Sequence, residues 1–319
     1  MYAYAFDIGG SSLKHALVRI EKDAIAVVAE MGRPIELRER SYSELRDSLL
    51  STLGDALRHH PEVQALGIST TGSVSPQGVV LNAGHFTGYS QIDWRIVVKA
   101  LFPEIKTVVT VNDGRAAAWA EFVPRSSECR HLCHFVVGTG IGGASVVAGE
   151  LVVGEDGNAG NFGHWKVTQE QTIRCSCGQY GCLEAVASAP AIAAHFLKLQ
   201  GNLATDATIS FQDVVARAQD GDEAALDSFR VAGEWLGTGL SIAINTFNPR
   251  FVTIGGGVLN ASMILRKYCG RDPYFEAAVS SGLRKAHRRP AETVIISPAS
   301  YGNDSGLIGA ATLAVRRTE

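Results

Sequence analysis

The sequence predicts an α/β protein of two domains with a cleft between them. Patterns typical of strands alternate with patterns typical of helices along the chain, which favours a sheet with at least some parallel pairing. An arrangement of strand, glycine turn and hairpin occurs twice, as FDIGGSSLKHALV and FVVGTGIGGASVV. The 319 residues are many for one hydrophobic core. We expect residues 1–112 and about 303–319 to form a small domain, and residues 113–302 a large one.

Short apolar runs bounded by turn residues predict the strands of the first part, and polar stretches punctuated by leucines predict its helices. The expected strands are residues 2–7, 13–20, 24–30, 64–70, 78–83 and 107–112. The expected helices are residues 42–60 and 93–101. The strand at residues 2–7 (YAYAFD) is predicted to be buried, because it is apolar on both faces.

The second part begins with an alanine-rich helix, RAAAWAEF, and returns to the pattern of strand and glycine turn. Its expected strands are residues 131–138, 144–149, 150–154, 251–257 and 293–300. Its expected helices are residues 185–200, 211–219 and 223–247, further helix after residue 257, and a last helix at 306–317. No low-complexity linker separates the two parts, so the two domains should be interlocked.

Composition excludes several functional classes. Hydrophobic residues make up 46% and charged residues 19%, and the net charge is −3. This balance argues against nucleic acid or an anionic membrane as the main partner. The start, MYAYAFDIGG, lacks the pattern of a signal peptide, and no run of about 18 apolar residues predicts a membrane span. We therefore expect a cytoplasmic protein whose cysteines are reduced thiols or metal ligands.

A glycine turn follows the first strand directly. Glycines let the backbone approach an anion closely, and a carboxylate at the end of a strand can hold Mg²⁺ through water. A tight hairpin turn is the simpler interpretation of such a turn taken alone. The candidate phosphate and Mg²⁺ residues of this turn are Asp7, Gly9, Gly10, Ser11, Ser12 and Lys14.

Three more glycine turns favour the phosphate interpretation. Gly138, Thr139 and Gly140 follow a strand, Gly255, Gly256 and Gly257 follow another and open a helix, and residues 302–304 precede the last helix. Backbone N–H groups and the helix dipole at such positions attract anions. The sequence lacks a Walker A motif and a good dinucleotide-binding fingerprint. A nucleoside triphosphate bound by a different fold is the better hypothesis.

Four motifs together carry a resemblance to a known family. DIGGSSLK, GTGIGG, IGGGV and above all CSCGQYGCLEAVAS resemble the ROK family of sugar kinases and sugar-responsive repressors, over residues 5–315. The resemblance implies the two-domain, actin-like ATPase fold of the ribonuclease H-like, hexokinase type. It also implies ATP and Mg²⁺ as cofactors, a sugar substrate, and a homodimer. The family's repressors carry a helix-turn-helix before the phosphate strand, and we expect none here because that strand starts at residue 2.

The cysteine-rich stretch predicts a structural zinc site. His164, Cys175, Cys177 and Cys182 offer one imidazole and three thiolates, a set that suits tetrahedral Zn²⁺ with no open position. A redox centre would require CxxC instead of CxC, and buried packing of free cysteines is the remaining alternative. The resemblance also implies zinc here. The other three cysteines are expected to act as small hydrophobic residues.

The resemblance also implies a set of residues around the sugar. Taken alone, Asn112-Asp113 after a strand is more often a helix N-cap. In the family this aspartate is the general base that faces a primary hydroxyl of the sugar, so Asp113 is expected to be catalytic. The expected sugar-binding residues are Gly72, Asn82, Asn112, Asp113, Asn161, His164 and Glu184.

One of these positions departs from the family pattern. Asn161 stands where the family has a glutamate, three residues before His164. A carboxylate only accepts hydrogen bonds, whereas an amide also donates. The change predicts an altered preference at C1 and C2, such as an N-acetylated hexosamine, an aminosugar or a cyclitol, although neutral drift would leave the same trace. A sugar-sensing regulator and a kinase with polyphosphate as donor remain rival hypotheses.

Overall fold

The computed structural model describes residues 1–21, 28–84, 86–169, 173–201 and 208–318. These residues divide into two compact units. The first unit comprises Met1–Glu128, Leu151–Ala159 and Tyr301–Glu319, and the second comprises Cys129–Glu150 and Gly160–Ser300. Compared with the predicted division, the first unit continues past residue 112 and takes in residues 151–159.

In the main segment of the first unit, single helices separate groups of strands. Its strands are β1 (Tyr2–Ile8), β2 (Ser12–Arg19), β3 (Val28–Met31), β4 (Ile35–Glu36), β5 (Ala65–Thr70), β6 (Ser73–Val74), β7 (Val80–Asn82) and β8 (Thr107–Asn112). Its helices are α1 (Tyr42–His59), α2 (Trp94–Lys99) and α3 (Asp113–Phe122), followed by a 3₁₀ turn at Val123–Arg125. The leucines of α1 at positions 45, 49, 53 and 57 are buried, as the spacing of four residues predicts.

The second unit is richer in helix. Its strands are β9 (Leu132–Val137), β10 (Ile141–Val147), β11 (Glu150–Leu151, which passes into the first unit), β12 (Phe251–Gly255) and β13 (Ile295–Pro298). Its helices are α4 (Leu183–Ala187), α5 (Ala189–Leu199), α6 (Phe211–Gln219), α7 (Glu223–Phe247), α8 (Gly257–Cys269), α9 (Pro273–Lys285) and α10 (Arg288–Thr293), with a 3₁₀ turn at Phe162–His164. The chain then returns to the first unit with a 3₁₀ turn at Gly302–Asp304 and α11 (Ser305–Arg316).

The sheet of the first unit places the ends of three strands at one edge. Its order is β3-β2-β1-β5-β8, with β4 paired to β2. β1 runs antiparallel to β2, whereas β1, β5 and β8 are parallel neighbours. Asp7 is in register with Ser69, and Thr70 is in register with Asn112. Side chains at the carboxyl ends of these strands therefore gather at one edge, where ligands bind in open α/β sheets.

Helix α11 packs closely on this sheet and on α3. A Cβ atom at Gly67 of β5 would collide with the backbone of Ala310, and one at Gly309 would collide with the carbonyl of Ala116. Only glycine permits such an approach between backbones. The close packing fixes α3, and with it the position of Asp113 at the start of that helix.

The second sheet has a related arrangement. Its order is β11-β10-β9-β12-β13, with β9 antiparallel to β10 and parallel to β12. An antiparallel hairpin beside a parallel strand therefore occurs in both units, as the repeated motif of the sequence predicts. Helix α7 is capped at its start by the Asp222 side chain, and Asn248, directly after its last residue, takes the left-handed conformation.

The structure corrects several predicted boundaries. The strand predicted at residues 24–30 is described only from Val28, since residues 22–27 lie outside the described ranges. The strand predicted at residues 150–154 has only two residues. The helix predicted at residues 185–200 is wrong, because Ser188 is extended and separates α4 from α5. Pro190 in the first turn of α5 explains the break, since a proline cannot donate the N–H that a continuous helix needs.

The strand predicted at residues 251–257 ends at Gly255, and Gly256 takes a φ of 99°, which ends the strand before α8 begins. The two-residue strands β4 and β6 and the three 3₁₀ turns were not predicted. Such short elements carry no periodicity of their own. Among the described residues, none of the helices is both long and apolar enough to cross a membrane.

Candidate active site and metal centre

The sequence left two roles open for Asn112 and Asp113, helix N-cap and general base, and the structure shows which residue caps α3. Asn112 is the N-cap, because its Oδ1 accepts a hydrogen bond from the backbone N–H of Arg115 at 3.3 Å. Its Nδ2 donates to the Gly72 carbonyl at 3.0 Å and to Oδ1 of Asp113 at 2.8 Å. Asp113 is therefore not required as the cap of this helix.

The Asp113 carboxylate is held through one oxygen. Its Oδ1 also accepts from the N–H of Gly114 at 2.7 Å, whereas no hydrogen bond reaches Oδ2 from the described residues. Desolvation raises the pKa of Asp113 above the usual range of an aspartate, and the negative charge of Asp7 acts in the same direction. A carboxylate with a raised pKa is a stronger base, so this geometry suits proton removal by Oδ2.

Asp7 and Lys14 form a second polar group at the same sheet edge. Oδ1 of Asp7 accepts from the Ser69 hydroxyl at 2.7 Å, and Nζ of Lys14 lies 4.0 Å from Oδ2. Lys14 also donates to the carbonyl of Asn303 at 3.0 Å. Desolvation raises the pKa of Asp7, and the charge of Asp304 adds to this effect. A cation near the carboxylates of Asp7 and Asp304 would lower the electrostatic cost of keeping both of them ionised.

The first glycine turn is a tight hairpin turn. The N–H of Gly9 donates to the carbonyl of Ser12 at 3.0 Å. Gly10 and Ser11 are exposed, and the space beside Gly10 is open. This geometry is compatible with both interpretations of the turn: a simple hairpin connection, and an exposed loop that could meet a phosphate.

Gly72 and Asn82 lie together at the hairpin of β6 and β7. Gly72 has a φ of 87°, and a Cβ atom there would collide with the carbonyl of Asn82. Because the Gly72 carbonyl accepts from Asn112, the first unit brings Gly72, Asn82, Asn112 and Asp113 into one neighbourhood.

Sequence reasoning missed Arg115, which is buried beside this group. Its Nη2 donates to the carbonyls of Val74 and Gly157 at 3.0 and 2.9 Å. It also missed the bond from the Ser73 hydroxyl to Oδ1 of Asn158 at 2.9 Å. The one available signal for Arg115 was an arginine within an otherwise apolar run, RAAAWA, two residues after Asp113.

The second unit brings the four predicted metal ligands together. The ligand atoms of His164, Cys175, Cys177 and Cys182 all lie within 4.8 Å of one another. The sulfur atoms of Cys177 and Cys182 are 3.8 Å apart, and Sγ of Cys175 is 3.6 Å from Nδ1 of His164. Bonds of about 2.3 Å to sulfur and 2.0–2.1 Å to nitrogen at tetrahedral angles imply separations of about 3.8 and 3.6 Å. The residues present therefore fit Zn²⁺.

The backbone of the loop supports this cluster. Lys166 pairs with Cys182 in an antiparallel bridge, and Arg174 pairs with Tyr180 in another. The Lys166 ammonium donates to the Cys182 sulfur at 3.2 Å. Three thiolates around Zn²⁺ leave one negative charge, which a neighbouring ammonium offsets.

Glu184 connects a glycine turn with the loop that carries the four predicted metal ligands. We call this loop, residues 164–169 and 173–182, the metal loop. Its Oε2 accepts from the N–H of Ile141 at 3.0 Å, and its Oε1 accepts from Ser176 and from the Cys175 thiol, the latter at 3.3 Å. A Cβ atom at Gly140 would collide with Oε2. The turn formed by Gly138, Thr139 and Gly140 therefore lies directly against Glu184.

The other glycine turn of this unit lies next to the same strand. A Cβ atom at Gly256 would collide with the backbone of Val137, the last residue of β9, which precedes Gly138. Gly255 ends β12 and Gly257 begins α8, with open space beside it. These two turns, both predicted to meet the nucleotide, are thus neighbours.

Asn161 lies at the start of the turn that carries His164. The N–H of His164 donates to its carbonyl at 3.0 Å, and both side chains are exposed. Taken together, each unit carries one group of predicted residues. The first unit has those around Asp7 and Asp113, and the second has those around the metal loop and the two glycine turns.

Comparison with known proteins identifies the family. A family model described as "ROK family" matches residues 3–317. The chain belongs to the ROK family. An N-acetylmannosamine kinase of Escherichia coli is 31% identical to it over 98% of each chain.

Solved structures of ROK proteins share the fold of this chain. A ROK hexokinase from Thermus thermophilus matches with a TM-score of 0.79 at 23% identity, over 100% of this chain and 99% of the other. A ROK glucokinase from Streptomyces griseus, solved with glucose and AMPPNP, matches with a TM-score of 0.73 at 24% identity, over 99% of this chain and 100% of the other. The predicted actin-like, hexokinase-type fold is therefore confirmed.

The metal cluster of this ROK protein yields a direct prediction. Replacing Cys182 by serine removes a buried thiolate, so zinc affinity should fall by more than about 100-fold, beyond the 10–100-fold typical of residues that only support a ligand. Zinc per chain is measured by elemental analysis after dialysis against a graded chelator. Cys269→Ser, outside the cluster, is the control and should keep one zinc per chain. Wild-type protein that is fully active with no zinc would contradict the assignment.

Proposed function

We propose that this protein is a sugar kinase that transfers the γ-phosphoryl group of ATP to the primary hydroxyl at O6 of an N-acetylated hexosamine, with N-acetylmannosamine as the first candidate. The observation that carries the proposal is the Asp113 carboxylate, held through Oδ1 and with a raised pKa. The name of the Escherichia coli relative supports the choice of acceptor. The sugar-kinase class itself rests on ROK membership and on that relative.

The proposed chemistry needs one proton transfer and one phosphoryl transfer. The sugar oxygen attacks the γ-phosphorus, the bond between this phosphorus and the β–γ bridging oxygen breaks, and ADP leaves. Oδ2 of Asp113 accepts the proton that the hydroxyl loses. The bonds from Gly114 and Asn112 to Oδ1 orient the carboxylate, so little reorganisation is needed when the proton moves.

The nucleotide is assigned to the glycine turns. Asp7 is proposed to hold Mg²⁺ through water, and Lys14 to offset phosphate charge once the cation is bound. The proposed phosphate and adenosine residues are Gly9, Gly10, Ser11, Ser12, Gly138, Thr139, Gly140, Gly255, Gly256 and Gly257. The AMPPNP complex of the Streptomyces griseus glucokinase supports ATP as the donor.

Zinc is assigned a structural role. His164, Cys175, Cys177 and Cys182 would hold it, and as a closed tetrahedral site it would supply rigidity and no reaction step. Because Nδ1 of His164 points at the cluster, Nε2 is left for a sugar hydroxyl. Glu184, Asn161, Asn82 and Gly72 complete the proposed sugar ligands. A cytoplasmic homodimer is part of the proposal on the family resemblance alone.

The first test is a panel of acceptors. ADP release is measured with glucose, N-acetylmannosamine and N-acetylglucosamine, using wild type and Asn161→Glu. We expect kcat/KM for N-acetylmannosamine to exceed that for glucose in wild type. In Asn161→Glu, the ratio of kcat/KM for N-acetylmannosamine to kcat/KM for glucose should fall by about tenfold or more. The first reason is that a carboxylate only accepts hydrogen bonds. The second is that hydrogen bonds to charged groups contribute about 1.5–3 kcal/mol.

The same panel separates the rival functions. Unchanged ratios in Asn161→Glu would remove this residue from the specificity argument. Absence of turnover with every sugar would favour a sugar-sensing regulator. Turnover with polyphosphate and not with ATP would show that polyphosphate is the phosphoryl donor. The proposed acceptor site would be unaffected.

The second test concerns Asp113. Asp113→Asn removes the base but keeps an oxygen that can accept from Gly114, so turnover should fall by about 10³-fold or more. The thermal melt should stay close to that of wild type, because Asn112 and not Asp113 caps α3. A variant that loses its cooperative melt along with its activity would show that Asp113 is structural.

A further inference from the structure

Arg115 is a buried cation next to the proposed base. It lies in the first turn of α3, two residues after Asp113, and is only 4% exposed. Its position is electrostatically unfavourable, because burial removes hydration and the positive end of a helix dipole repels a cation. A charge kept under these conditions needs specific acceptors, and Nη2 finds two backbone carbonyls.

These carbonyls belong to two segments that are far apart in sequence. Val74 lies in β6, and Gly157 lies in the segment Leu151–Ala159 of the same unit. The Ser73 hydroxyl adds a bond to Asn158. Gly157 has a φ of 84°, and a Cβ atom there would collide with the Val74 carbonyl. The two segments are therefore in direct contact, and Arg115 donates to both of them.

The same segments continue into the proposed sugar site. β6 directly follows Gly72, whose carbonyl accepts from Asn112. Residues 72–74, 112–115 and 157–158 thus form one hydrogen-bonded group, which we call the acceptor group. Its polar atoms include the Asp113 carboxylate and the Asn158 side chain. A shift of segment 157–158 would change the groups available to a sugar without changing Asp113 itself.

We infer that Arg115 is a positioning residue for the acceptor sugar, which holds segment 157–158 against β6 beside Asp113. The inference rests on the proposed sugar-kinase function. It assigns Ser73 and Asn158 to the sugar side of the site together with Arg115. A purely structural arginine would affect stability alone, whereas a positioning residue affects sugar affinity more than nucleotide affinity.

The test compares Arg115→Met and Arg115→Lys with a matched control. Arg125→Met removes another arginine of the first unit, whose Nη1 donates to the backbone and carboxylate of Glu121, outside the acceptor group. We expect Arg115→Met to raise KM for the sugar at least about tenfold, equivalent to about 1.4 kcal/mol, while KM for ATP changes less than about twofold. Arg115→Lys should recover part of the loss, because an ammonium can donate to both carbonyls. Arg125→Met should leave both KM values unchanged.

Sugar dissociation constants from calorimetry without ATP keep this test independent of turnover. If wild type binds a sugar but does not phosphorylate it, the kinase proposal fails, and the comparison of Arg115 variants still stands. If Arg115→Met does not fold, Ser73→Ala decides, since it removes only the bond to Asn158 and should also weaken sugar binding. Sugar affinity equal to wild type in the folded variants, or equal losses for sugar and ATP, would overturn the inference.

Discussion

The hydrogen bonds of Asn112 are the interaction on which the candidate active site depends. One side chain caps α3, holds the turn at Gly72 and orients the Asp113 carboxylate. This is possible because β8 ends beside β5 in parallel register, so that the strand end, the turn and the helix start meet. The close packing of α11 on α3 then prevents the helix from shifting. The proposed base is therefore placed by backbone geometry and not by a flexible loop.

A comparable constraint organises the second unit. Glu184 accepts from the Ser176 hydroxyl of the metal loop through Oε1 and from the N–H of Ile141, next to the glycine turn, through Oε2. Three thiols and an imidazole converge in this loop, with their ligand atoms within 4.8 Å of one another, and the set fits Zn²⁺. Zinc would thus stabilise the loop that positions Glu184 and His164. The unexpected finding is that Glu184 also supports the turn proposed to meet phosphate.

Sequence patterns predicted the features that are local or repeated. The buried strands, the glycine turns and the convergence of His164 with three cysteines follow from spacing, and the motif around Asp113 follows from resemblance. The break at Ser188 was missed although Pro190 signals it, because the flanking apolar run favours one helix. The bonds of Arg115 and the bond from Ile141 to Glu184 could not be predicted, since their partners lie about 40 residues away in the chain and only the fold brings them together.

The central claim is that Asp113, whose pKa is raised, removes the proton from the sugar hydroxyl. A base acts in its ionised form, so activity should be lost as the pH falls through the pKa of Asp113. Because desolvation and the charge of Asp7 raise this pKa, the loss should begin above the ordinary aspartate range near 3.9. The decisive measurement is kcat/KM for the sugar at saturating ATP as a function of pH. The account predicts a single acidic limb above that range, and a rate that stays constant down to about pH 4 would contradict it.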